Sequence, residues 1–176
     1  MSLSKDNFEF FVHGTNHKGA KKIIEKGIRL SEGAARQDFS DGSGFYLGID
    51  LKEATKWARH KYKDGEAILI YQVDKRELRG DNNEKGLDLC INKDEWKKVV
   101  KEYRLTGYGR KEKRPSQDYR DELEQHHFIE GPMASVSKKN PNPREKGSST
   151  YQLCVRNEAC AKLFDRSLSH VIFLER

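Results

Sequence analysis

The sequence predicts an α+β fold, and three observations carry that prediction. The stretch "AILIYQV" (Ala67–Val73) is a continuous apolar run, the pattern of a strand covered on both faces and central in its sheet. In "NKDEWKKVVKEY", Trp96, Val99, Val100 and Tyr103 recur at helical spacing and share one face. Short runs of both kinds intersperse along the chain, so strands and short helices are mixed in one domain.

Taken in order, Phe8–Val12 is aromatic and β-branched and reads as a strand that Gly14 closes. Asn16 precedes "HKGAKKIIEKG", where Ala20, Ile23 and Ile24 give a short amphipathic helix and Gly27 its C-cap. A Gly/Asp/Ser-rich loop, Asp38–Gly44, leads to the strand "FYLGI". Asp50 then caps "LKEATKWARHKY", with Leu51, Ala54, Trp57, Ala58 and Tyr62 on the apolar side. Beyond the central strand the composition turns polar, and the region at about 81–122 reads as an insertion into a single domain spanning 8–176. Within it, "RLTGYGRKEKRPSQDYRDELEQ" is expected to be mobile. "HHFIEGPMA" returns to strand chemistry, "SKKNPNPREKGSS" is a loop, and strand "YQLCV", helix "NEACAKLF" and strand "HVIFL" end the chain.

Composition narrows the function. A chain of 176 residues can bury one core. Its 34 Lys+Arg against 28 Asp+Glu leave +6, a mild attraction to anions that suits a phosphate-bearing ligand better than a nucleic-acid arm. Three cysteines, Cys90, Cys154 and Cys160, without C-x-x-C spacing, argue against a disulfide framework or a zinc knuckle and for reduced thiols. No apolar run approaches the ~20 residues that cross a bilayer, and the first residues lack a signal peptide's apolar core. The expectation is an intracellular protein, cytoplasmic or nuclear, monomeric and without a membrane partner.

The motif that asks for a function is "VHGT", an ionisable ring, a glycine and a hydroxyl at the end of a buried strand. His13 and His17 stand four apart, but Gly14 and Asn16 interrupt any helix there and no glutamate follows the first histidine, so the spacing does not favour zinc. A structural histidine at a strand end is the plain alternative. The motif is followed by "DFSDGSGFYLGIDLKEATKWA", then "IEGPMA" and "YQLCVRNEACAKLF".

As a set, these segments resemble the diphtheria-toxin-type, or poly(ADP-ribose) polymerase-like, ADP-ribosyltransferases, in particular a small branch with "HGT" and "DFGxGFYL"-like motifs. The resemblance implies a split antiparallel sheet with short flanking helices, and NAD as a substrate with no metal. It implies that His13 hydrogen-bonds the adenosine ribose and that the Gly14 backbone pairs with the nicotinamide carboxamide. Thr15, Ser43 and Gly44 would border the pocket, and Tyr46 and Trp57 would sandwich the nicotinamide ring. Trp57 also fits a core position on its helix. The family's catalytic glutamate opens the late strand, and here Gln152 occupies that place. Glutamine keeps a hydrogen bond to ribose but brings no charge and cannot act as a base. Glu130 is then the remaining carboxylate, unless it merely precedes the turn set by Gly131 and Pro132. The implied activity is mono-ADP-ribosyl transfer, a glycosyltransferase reaction, to a protein or nucleic acid. A catalytically silent NAD or ADP-ribose binding module is the first alternative. A nucleic-acid binder using Arg104 to Arg114 around Tyr108 is the second.

Overall fold

A computed structural model describes residues 7–34, 37–63, 65–105, 117–136, 141–147 and 150–175, and these form a mixed α+β fold. The first strand, β1 (Phe8–Asn16), runs through Gly14 instead of closing there, because every residue from 8 to 16 pairs with β3 (Glu66–Asp74) in an antiparallel ladder. Asn16 turns the chain by accepting the Gly19 N–H at 2.7 Å and starts α1 (His17–Lys26). Gly27 ends that helix with φ 73°, its N–H returning to the Ile23 carbonyl. A short 3-10 turn, Leu30–Glu32, leads toward β2 (Phe45–Leu47). Asp50 caps α2 (Leu51–Lys61) through the N–H groups of Lys52 and Glu53.

As expected from its unbroken apolar run, β3 is central, with β1 on one side and β9 (Leu168–Leu174) on the other. A second sheet has the order β2, β8 (Tyr151–Val155), β5 (Phe128–Pro132), β4 (Gly86–Asp88), with only β4 and β5 parallel. Among the described residues the two sheets share one main-chain bridge, in which Val12 and Gly48 exchange both hydrogen bonds at 2.8 and 2.9 Å. A small ribbon pairs β6 (Ala134–Ser135) with β7 (Arg144–Glu145), and β7 lies inside the segment read as loop.

Helices cover both faces. α1, α3 (Lys75–Arg79) and α6 (Glu158–Arg166) pack on the face that carries Phe11, Leu69, Tyr71, Leu153 and Val155. On the opposite face α2 covers Val12 and Ile68, while α4 (Lys93–Leu105) and α5 (Gln117–Glu124) cover Ile129 and Cys154. Trp96, Val99, Val100 and Tyr103 are buried, as their spacing predicts. The expected mobile stretch is partly corrected: its second half forms α5, anchored by buried Leu123, and residues 106–116 lie outside the described residues. The apolar side of α2 is corrected too, because only Ala58 is buried there and Trp57 is 40% exposed. No helix among the described residues is long and apolar enough to cross a membrane, and all three cysteines are free.

Candidate functional site

The single Val12–Gly48 link defines the site. In an antiparallel pair both main-chain groups of a residue point to the same side, and the side alternates along the strand. Because Val12 addresses β2, Gly14 does as well, while His13 and Thr15 address β3. By the same alternation Gly48 and Tyr46 turn their N–H and C=O toward β1, and Phe45 and Leu47 toward β8. Past the link no further main-chain pair joins the two strands among the described residues, and by register the main-chain groups of Gly14 and Tyr46 face one another across the cleft where pairing has ended.

The His13 ring reaches over this cleft. Its Nδ1 donates to the Tyr46 carbonyl at 2.7 Å, which fixes the proton on Nδ1 because a carbonyl only accepts, and leaves Nε2 as an acceptor. The ring stacks on Phe45 at 4.2 Å, and burial lowers its pKa to about 4, so it is neutral near pH 7. Histidine at this strand position therefore has a structural task, tying β2 to β1 where the ladder has ended.

Tyr46 extends from the other face. Its hydroxyl accepts the Phe39 N–H at 2.9 Å and pairs with Ser40 Oγ at 3.0 Å, and burial raises its pKa. Gln152 is on that same face, since Tyr46 pairs with Cys154 and Gln152 stands two residues further along β8. Continuing the register one step places Gly48 beside Gln152. Among the described residues, a Cβ on Gly48 would meet only the Tyr151 carbonyl oxygen, at 3.7 Å, so a side chain has room at that position.

Gln152 is 6% exposed, and its Nε2 donates to Asp38 Oδ2 at 2.6 Å. The same oxygen accepts the Ala134 N–H at 2.8 Å. Arg104 Nε lies 2.7 Å from the other carboxylate oxygen, off the line of a hydrogen bond, and acts as a charge partner. Asp38, itself buried, is the residue the sequence reading missed; it sits in a loop whose Gly/Asp/Ser composition gives no sign of burial.

Glu130 does not join this group. It pairs with Leu153, whereas Gln152 pairs with Gly131, so the two side chains leave the sheet on opposite faces. The expectation that Glu130 supplies the remaining carboxylate alongside Gln152 is corrected by this register. Glu130 instead receives Arg79 on both oxygens, at 2.5 and 3.0 Å, and the Tyr151 hydroxyl. Arg79 also grips Glu9 at 2.7 and 3.1 Å. Burial works against the Arg79 charge, and the bonds to Glu130 and Glu9 outweigh it and hold the guanidinium protonated.

The remaining expected residues separate. Gly14 is packed under α2, where a Cβ would come within 2.6 Å of the Ala54 carbonyl, so close helix approach already requires glycine there. Thr15 is buried on the His13 face. Ser43 is exposed, and Gly44 is packed against Ser40 and Cys154, which a Cβ would meet at 2.5 and 2.8 Å. Trp57 stands outward with the Lys61 ammonium 4.4 Å from its ring centre and Tyr62 at its edge. Arg104, first in the expected basic segment, is committed to Asp38, and the rest through Arg114 lies outside the described residues apart from Leu105.

His17 turns away from His13 to meet the Leu174 carbonyl and Phe173. Among the described residues no group of three or more His, Cys, Asp or Glu is placed to hold a metal. Cavities of about 380 and 310 Å³ lie elsewhere, the first between α3 and α6 and the second beside Glu130 and Tyr151. Compared with models of known protein families the chain matches none, and no curated protein matches it.

Proposed function

We propose that this chain is an NAD-dependent mono-ADP-ribosyltransferase with the split-sheet architecture of the family it resembles. What supports the reading is the end of main-chain pairing beyond the Val12–Gly48 link, with Gly14 main-chain groups on one side of it and, by register, Tyr46 and Gln152 on one face of the other. A carboxamide offers one donor and one acceptor, the complement of one backbone N–H and one C=O. His13 Nε2 is an acceptor suited to a ribose hydroxyl, Tyr46 and outward-facing Trp57 are the aromatic faces for nicotinamide, and Gln152 accepts from the second ribose. NAD supplies an activated glycosidic bond whose cleavage releases nicotinamide and leaves a cationic ribose for an acceptor on a protein or nucleic acid. With an amide where the family has a carboxylate, single additions are expected, not chains.

One observation favours a second reading, a silent NAD-binding module. Gln152 is neutral, and the charge of neighbouring Asp38 is offset by Arg104.

Binding and turnover are separable. Millimolar NAD should raise the melting temperature by binding the folded state. Gly48→Val should fold normally, because its Cβ has room and β-branched residues suit strands, yet lose that rise by filling the room beside Gln152. An unchanged melting temperature with NAD and with ADP-ribose would remove both readings. Labelled NAD then decides between them: nicotinamide release with label on protein or nucleic acid supports the transferase, and binding without release supports the module.

A further inference from the structure

We propose that Asp38 is a positioning residue that fixes which atom of the Gln152 amide faces the ligand, an inference that rests on the NAD reading above. A glutamine side chain can present either its NH2 or its carbonyl oxygen, and the two ends select opposite ligand groups. Asp38 Oδ2 accepts the Ala134 N–H at 2.8 Å and lies 2.6 Å from the Gln152 amide. A carboxylate oxygen has no hydrogen to give, so the atom facing it on Gln152 is the nitrogen. Oε1 is thereby left as the acceptor that the NAD reading assigns to the second ribose.

The consequence is selectivity for a hydroxyl donor. Held this way, Gln152 offers a ribose hydroxyl the same acceptor that a carboxylate would, without the charge. Were the amide free to turn, half of its orientations would oppose a donor with a donor. Arg104 steadies the arrangement from behind by pairing with the second Asp38 oxygen.

The test is a double-variant cycle read by calorimetric titration with NAD, using protein whose folding is checked by its melting curve. Asp38→Ala and Gln152→Ala should each weaken NAD binding about 3- to 10-fold, the scale of one hydrogen bond. The double variant should bind no more weakly than either single one, because both remove the same contact. Asp38→Asn should stay near the parent, since its carboxamide oxygen can accept from Ala134 and Gln152 together. Should Asp38→Ala fail to fold, Asp38→Ser replaces it: the hydroxyl can accept from Ala134 but is too short to hold Gln152 as well. Losses that add in full, or an Asp38→Ala protein with parental affinity, would overturn the inference while leaving NAD binding intact. A parent that does not bind NAD overturns the inference and the NAD reading together.

Discussion

A carboxylate introduced at position 152 would stand against the Asp38 carboxylate at the spacing now held by a 2.6 Å hydrogen bond. Two buried like charges cannot both ionise there, so Gln152→Glu should raise the pKa of the pair in the folded state. The folded protein then binds more protons than the unfolded one, and its stability falls as pH rises. We expect Gln152→Glu to cost about 3 kcal/mol near pH 8, the scale of an uncompensated buried charge, and less near pH 5, measured by urea unfolding. Adding Asp38→Asn removes one of the two charges and should recover part of that loss but not all of it, because the atom of residue 38 that meets position 152 also accepts the Ala134 N–H, and an amide nitrogen there would oppose that donor. On the transferase reading, that variant should also release nicotinamide faster, because a carboxylate at position 152 would stabilise a cationic ribose. A single variant as stable as the parent at pH 8 would mean that the two side chains are not in contact. Tyr46 and Gln152 were singled out in the sequence by the resemblance of the segments "GSGFYLGIDLKEATKWA" and "YQLCVRNEACAKLF". Asp38 was not, since its partners Ala134 and Gln152 are 96 and 114 residues away.

Among the elements, Arg79 ties α3 to β1 through Glu9 and to β5 through Glu130, and Tyr151 adds β8. Glu130 is 3% exposed, so removing its partner leaves a buried carboxylate uncompensated. Arg79→Met should therefore destabilise the fold by about 3–5 kcal/mol in chemical unfolding. Glu130→Gln should also lower stability, yet leave NAD affinity within about twofold, because its side chain leaves the sheet opposite Gln152. A selective loss of NAD binding in Glu130→Gln, with stability unchanged, would return Glu130 to the site. The elements followed local pattern where pattern exists: β3, α4, β8 and α6 appear where apolar period places them. Short α3 and β4 have too few residues to show a period, and α5 is polar except for Leu123 and Tyr119, which face the second core. β1 outran its expected end because a glycine inside a strand can mark close approach of a helix as well as a turn.

Across the whole molecule, the two sheets share a core and the Arg79 ion pairs, and where their main chains meet, at the Val12–Gly48 pair, the His13 ring adds a further link to Tyr46. That link makes this meeting of the sheets sensitive to acid. His13 is neutral in the folded protein, with a pKa lowered to about 4 by burial, whereas an exposed histidine titrates near 6.5. Above about pH 6.5 neither state is protonated there and the histidine carries no penalty. As pH falls below that value the unfolded chain takes up the proton first, so stability declines, and the decline levels off below about pH 4 where both states carry it. Within the window the slope from this one group is at most about 1.4 kcal/mol per pH unit. His13→Asn should remove that share, because its amide can still donate to the Tyr46 carbonyl but does not titrate. His126, whose pKa burial also lowers, acts equally in both proteins and cancels in the comparison. Urea midpoints of the two proteins at pH 7, 6, 5 and 4 give the answer. Curves that converge toward acid place the sensitivity at the cleft. Parallel curves would mean that His13 gains or loses its proton as freely in the folded state as in the unfolded one, and that the cleft is open enough to solvate a charged ring.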